Sequence, residues 1–301
     1  MTENGPTFCS DIAREHNLPL HASATRGDLW LMIEYDSPWE GKAFEQSTLP
    51  ENVKEYLQGI AIPGAKTRIQ MIRQESSRQR VGIRFFMAHT DPLSPRLFEF
   101  ELNDYLDLLD LNLSALAAGD LQDDAALRDT PLYLVCTNGK RDLCCARYGV
   151  EIYNVLNAEI GEAVWQSSHI GGHNKAPNTL FFPYGVEYGH TSPEDILRLV
   201  HNFQQGLVGL EHYRGRVCFD EPAQAAEHFW RQETGNLDLP GMRLVSLESI
   251  GEAEWQVVVE STQDTERRVL TFQRRESNLQ IPITCAQDKL SPISTFHKID
   301  T

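Results

Sequence analysis

Apolar and polar positions fall into short runs along this chain, and two stretches repeat one order of runs. Leu29 to Tyr35 (LWLMIEY) is an apolar run of strand length. Pro50 to Ile62 has helical spacing, with Pro50 placed where helices begin. Thr67 to Arg73, Val81 to His89 and Arg96 to Leu102 alternate as strands do, and Asp104 to Ala118 is leucine-rich at helical spacing. The same order then recurs. Pro131 to Cys136 is a short apolar strand, and Cys144 to Ile160 carries Ile152, Val155, Leu156 and Ile160 on one helical face. Ala163 to Ser167, Asn178 to Pro183 and Val186 to Tyr188 read as strands. Ser192-Pro193-Glu194-Asp195 opens a helix that runs to about Gln205, with Gly206 at its end. Both stretches spell β-α-β-β-β-α.

The last ninety or so residues break the pattern. Tyr213-Arg214-Gly215-Arg216 reads as a linker or an edge. Pro222 to Thr234 reads as a helix stopped by Gly235. Arg243 to Ile250, Glu254 to Glu260, Arg267 to Phe272 and Leu279 to Ile283 alternate as a small antiparallel β element, and Asp288 to Thr301 reads as a loose tail. The fold expected is therefore α/β: an N-terminal domain over 1–122, a second α/β domain over 123–210, and a helix plus antiparallel β element over 211–301. A length of 301 residues suits two domains and a smaller third at about 150 residues per domain.

Composition narrows the function. With 41% hydrophobic and 23% charged residues, the chain is not of disordered type. It has neither an apolar run of membrane-spanning length nor a basic start followed by an apolar segment, so a cytoplasmic protein is expected. The formal net charge is −16, and no Lys/Arg run exceeds two residues. Phosphate backbones and anionic membranes would be repelled, whereas a redox partner with a basic docking surface would be attracted.

The six cysteines are too sparse for a disulfide scaffold. Three of them, Cys136, Cys144 and Cys145, crowd into ten residues. Cys136 closes a strand, and open α/β sheets place ligands at the carboxyl ends of strands. Cys144 and Cys145 stand at a helix entrance, where partial positive charge favours thiolate, and Lys140 and Arg141 add charge to the same loop. Downstream, His169 and His173 bracket Ile170-Gly171-Gly172, a pair of glycines suited to a tight loop with positive φ. Soft sulfur with imidazole suits zinc or an iron–sulfur cluster. The long Cys136-to-Cys144/145 gap favours an object wider than one ion. Spacing alone leaves a [2Fe–2S] cluster, a zinc ion and a metal-free site all open.

Taken together, Val135-Cys136-Thr137-Asn138-Gly139-Lys140-Arg141-Asp142, Cys145 and Ser168-His169-Ile170-Gly171-Gly172-His173 resemble the sucrase/ferredoxin-like family. Cys9-Ser10 and Ser37-Pro38-Trp39 resemble its N-terminal region. The likeness covers roughly residues 5 to 210, is sharp only over 131–190, and omits the C-terminal ninety or so. The family pattern, C-x8-C followed by H-x3-H, selects Cys136, Cys145, His169 and His173 and leaves Cys144 outside. The resemblance implies a [2Fe–2S] cluster with two Cys and two His ligands on a thioredoxin-like domain; Lys140 and Arg141, by their charge, and Gly171 and Gly172, by free backbone N–H groups, are the candidates to surround it. The order strand, Cys loop, helix, then Ala176-Pro177 entering a strand agrees with a thioredoxin-like domain, so the architecture expected is tandem thioredoxin-like domains, only the second carrying ligands.

The expected activity is electron carriage or redox sensing rather than conversion of a substrate. Imidazole in place of thiolate makes a cluster less negative and raises its potential, and imidazole N–H groups offer proton coupling. Two other readings stay open: a thiol–disulfide oxidoreductase using Cys136 with Cys144 or Cys145, weakened by the lack of C-x-x-C, and a zinc-stabilised binding module. Lys140 and Asp142 are expected to pair across the loop, and Trp39 to lie in the core. His89, His190, His201, His212 and His228 are read as structural or surface residues without partners. Cys9, Cys218 and Cys285 look isolated and receive no role.

Overall fold

In a computed structural model, residues 8–120, 123–285 and 290–299 are described. In chain order the elements are α1 (Cys9–Glu15), β1 (Leu29–Glu34), α2 (Glu51–Gly59), β2 (Thr67–Arg73), β3 (Ile83–His89), β4 (Arg96–Leu102), α3 (Leu113–Ala118), β5 (Leu132–Cys136), α4 (Leu143–Ile160), β6 (Val164–Ser167), β7 (Asn178–Phe182), β8 (Val186–Gly189), α5 (Pro193–Gln204), β9 (Tyr213–Arg216), α6 (Glu221–Thr234), β10 (Met242–Gly251), β11 (Glu254–Ser261), β12 (Arg267–Pro282) and β13 (Leu290–Lys298).

Nine strands form one sheet in the order β4-β3-β1-β2-β6-β5-β7-β8-β9. β1 pairs parallel with β2 and antiparallel with β3, which pairs antiparallel with β4. β5 repeats this arrangement with β6, β7 and β8. Two halves of identical strand order thus meet edge to edge through β2 and β6, where only Ile72↔Ser167 and Arg73↔Gln166 are in register.

Strand alternation sorts the core. Leu29, Leu31 and Ile33 face a cluster with residues of α2 and α3, while Trp30 and Met32 point the other way. On β5, Tyr133 and Val135 pack with α4 and α5, while Leu132, Leu134 and Cys136 join Trp30, Met32, Phe86 and Trp165. The two halves therefore share one apolar layer, which requires the sheet to curl so that these faces meet. This explains why β1 and β5 read as unbroken apolar runs: each is buried on both faces.

Three details depart from the sequence reading, and a fourth resolves a choice it left open. Asp104 to Ala118 is not one helix: a 3-10 segment spans Tyr105–Asp110, Leu111 is extended, and Asn112 caps α3 by accepting the Ala115 N–H at 3.2 Å. Tyr213–Arg216, read as a linker or an edge, is the edge: β9, a fully buried edge strand of the large sheet. Arg267–Pro282 is one long strand, not two, with a register shift between Glu276 and Gln280. Residues 290–298 are not a tail but β13, completing a separate antiparallel sheet in the order β10-β11-β12-β13. That sheet packs on α6 through Trp230, Met242, Val257, Val259, Leu270 and Phe272.

Candidate metal centre

Cys136 ends β5, and the loop after it is turned by Asn138, whose carbonyl accepts the N–H groups of Arg141 and Asp142, each at 3.2 Å. Asp142 then caps α4, accepting the Cys144 N–H at 3.0 Å. This cap sets the first turn of the helix so that consecutive cysteines point to different places. Cys145 turns toward Cys136, and Cys144 turns away.

Cys136 Sγ and Cys145 Sγ lie 3.7 Å and 3.6 Å from His169 Nδ1. The three donor atoms are mutually within 4.8 Å. His173 stacks on His169, with ring centroids 4.0 Å apart and planes 11° from parallel. Its Nδ1 is buried without a hydrogen-bond partner, 3.9 Å from Asp142 Oδ2. Of the four residues that the family pattern selects, Cys136, Cys145 and His169 bring their donor atoms together and His173 lies stacked on His169; Cys145 rather than Cys144 is the cysteine beside Cys136.

Electrostatics divides the two thiols. Cys136 is held well below its ordinary value because Cys145 donates a hydrogen bond to it, aided by His169 and the Ile170 N–H against the cost of burial. Cys145 is pushed up correspondingly. His173 is pushed down to about 4 by burial and the adjacent His169, so it is neutral at pH 7, with a lone pair available to a metal. A buried imidazole nitrogen with no partner, next to a favoured thiolate and a second imidazole, is a donor set that fits a metal or a [2Fe–2S] cluster.

The surrounding residues take other roles than the sequence suggested. Gly171 and Gly172 do have positive φ, +137° and +69°. Their tightness serves Arg214, however: a Cβ on Gly172 would lie 2.6 Å from its guanidinium, and the Gly171 carbonyl accepts from it at 3.4 Å. Buried Arg214 also pairs with Glu187 and donates to Asn178 Oδ1 at 2.8 Å. Sequence reading missed this arginine, since nothing local marks it as the post beneath the histidine loop. Asp142 does not pair with Lys140, which is exposed. Its Oδ2 instead accepts from Thr284 Oγ1 and the Cys285 N–H, both at 2.8 Å. Arg141 borders a cleft of about 460 Å³ that reaches His169, shared with Lys42 and Arg68. Trp39 is in the core, as expected, beneath the Arg73 guanidinium. Several histidines thought partnerless are engaged: His190 Nε2 with the Asn174 carbonyl at 2.8 Å, His212 with Asp195 at 3.1 Å, and His228 stacked on His21.

The N-terminal Cys9-Ser10 docks against this region, Ser10 Oγ donating to the Ala176 carbonyl at 2.6 Å. Residues 20–215 match the sucrase/ferredoxin-like family, about two thirds of the chain. The chain belongs to the sucrase/ferredoxin-like family. A curated relative is altered inheritance of mitochondria protein 32 of Meyerozyma guilliermondii, 35% identical over a 97-residue alignment that covers 29% of this chain and 34% of that protein. The chain thus matches about a third of that relative's length. No solved structure matches this sucrase/ferredoxin-like protein. Among the described residues, no helix is long and apolar enough to cross a membrane.

Proposed function

We propose that this sucrase/ferredoxin-like chain binds a [2Fe–2S] cluster through Cys136, Cys145, His169 and His173 and acts as an electron carrier or redox sensor. The observation that carries the reading is the convergence of two thiols and two stacked imidazoles, one with a buried unpartnered nitrogen. The cluster, when bound, supplies one-electron transfer at a potential above that of all-cysteine plant-type clusters. The chain's own part is to hold the donors: β5 places Cys136, the Asp142 cap aims Cys145, and Arg214 supports the histidine loop. We further read the two halves as tandem thioredoxin-like domains, on the strength of their repeated strand order, with domains at 1–122, 123–210 and 211–301.

The proposal extends to proton coupling through imidazole N–H groups, giving a midpoint potential that falls as pH rises. It also extends to a cytoplasmic location and to a partner with a basic surface, drawn by the net charge of −16, whose association slows with added salt. A single zinc ion in a binding module is the second reading, favoured by the compactness of the triad, whose donor atoms all fit within 4.8 Å. The thiol–disulfide reading has only the proximity of Cys136 and Cys145 behind it.

Anaerobic purification followed by iron, zinc and acid-labile sulfide analysis separates these readings. A brown protein with two irons and two sulfides per chain is expected. Cys145→Ser should abolish colour and iron, while Cys144→Ser should retain both. A colourless chain with zinc that is lost in Cys145→Ser would replace the cluster by a zinc site.

A further inference from the structure

Three cysteines meet at a second point, outside the site above. Cys9 begins α1, Cys144 lies in the first turn of α4, and Cys285 follows β12. Their sulfurs form a closed triangle with sides of 3.6 Å (Cys9–Cys144), 3.2 Å (Cys144–Cys285) and 3.7 Å (Cys9–Cys285). All three are free thiols, and Cys9 and Cys144 have no solvent exposure. A carboxylate oxygen of Asp142 lies within 4.8 Å of each sulfur.

We propose that Cys9, Cys144, Cys285 and Asp142 form a structural zinc(II) site. Tetrahedral zinc with Zn–S bonds of about 2.3 Å sets its sulfurs about 3.8 Å apart, close to two sides of this triangle and slightly longer than the third. A disulfide would draw in only two of the sulfurs and leave the third stranded. The donors also have the hydrogen bonds that thiolate ligands need around them. The Cys9 N–H points at Cys285 Sγ at 3.4 Å, and the Ser10 N–H at Cys144 Sγ at 3.5 Å. Asp142 is itself oriented by the N–H groups of Cys144 and Cys285 and the Thr284 hydroxyl. Binding expels the thiol protons to solvent as zinc takes their place, with no change of oxidation state.

The site would staple three distant parts of the chain: the N-terminal helix, the entrance of α4 and the end of the long C-terminal strand. Asp142 also lies 3.9 Å from His173 Nδ1, so one carboxylate touches both centres. The zinc site does not depend on the cluster proposal, because the two share no cysteine.

The test is metal analysis of the full chain, purified without chelator, together with Cys9→Ser, Cys285→Ser and Cys145→Ser. One zinc per chain is expected in the wild type, lost in Cys9→Ser and Cys285→Ser while iron and visible colour persist. Cys145→Ser should lose iron and keep zinc. A zinc-containing wild type without iron, with zinc still following Cys285, would end the cluster reading and leave this one standing. Because a serine variant can misfold, zinc in the wild-type chain is also exchanged for cobalt(II). Tetrahedral d–d bands with thiolate-to-cobalt charge transfer, absent when the cysteines are first alkylated, are expected. A wild-type chain with neither zinc nor a cobalt–thiolate spectrum overturns the proposal. So does zinc that is lost in Cys145→Ser but kept in Cys285→Ser. A Cys144–Cys285 disulfide, seen as a cross-linked peptide and an intact mass lower by two hydrogens, overturns it as well.

Discussion

Cys136 and Cys145 owe their positions to a close approach that leaves no space for one more carbon. Gly149, one turn along α4 from Cys145, faces the end of β5, and a Cβ there would stand 2.0 Å from the Cys136 carbonyl oxygen and 3.1 Å from its carbon. Backbone cannot swing aside as a flexible side chain can, so Gly149→Ala must push α4 from β5. A loss of about 1–3 kcal/mol is expected, measured by denaturant unfolding, together with weaker retention of the proposed cluster because both thiols ride on these two elements. By contrast, Gly161, at positive φ, has open space around the position of a Cβ, so there backbone conformation alone matters. Cys136, His169 and the glycine pair stood out as residue types at suggestive spacings, but the packing of the glycine pair on Arg214 did not. What Gly149 does was not visible, since a glycine in a helix has no signature that tells a packing contact from a neutral position.

Helix and strand identities were largely legible because each depends on local periodicity and local caps. α5 is the clearest instance: Ser192 Oγ accepts the Asp195 N–H at 3.1 Å, Asp195 Oδ2 accepts the Ser192 N–H at 3.3 Å, and Pro193 fills the first turn. Ser192→Ala is expected to cost about 1 kcal/mol, read as a lower midpoint in thermal or denaturant unfolding with metal content unchanged. Reading failed where a local signal competed with a stronger one nearby. The leucines of 104–118 keep a helical period, yet Asp104 and Asn112 each cap a separate short segment, and side-chain capping ended the first before the period could continue. β13 was missed because a single edge strand with half its side chains in water carries little apolar signal.

Across the molecule, α6 is the bridge between the nine-stranded sheet and the C-terminal sheet, and it carries buried charge. Glu227 forms ion pairs with Arg216 at 2.7 Å and Arg231 at 3.0 Å and accepts a hydrogen bond from the Tyr213 hydroxyl at 2.7 Å, with all four side chains buried. Removing the one anion leaves two guanidinium groups uncompensated, so Glu227→Gln is expected to lower stability by about 3–5 kcal/mol in chemical unfolding. Burial raises the Glu227 carboxyl, but Arg216 and Arg231 outweigh it, and its folded value lies below the ordinary 4.5. Its contribution is therefore present above about pH 4.5 and is lost as the pH falls through the folded value. Glu227→Gln should flatten that part of the acid unfolding profile, and an equally steep acid limb in the variant would count against this assignment.

The chain's own order of residues determined the local elements, the placing of two cysteines and two histidines at a strand end, a helix entrance and a glycine loop, and the repetition of one element order in two stretches. These are short-range properties, set by periods of two and 3.6 residues and by caps within a few positions. Only the tertiary structure decided that the two halves join through two residue pairs of β2 and β6, that Arg214 rises beneath the histidine loop, and that Cys9 and Cys285 close on Cys144 across 135 and 141 residues of sequence. Contacts between such distant positions leave no trace in local pattern. They arise when buried faces and unpaired strand edges, each ordinary alone, find the one arrangement that covers them all.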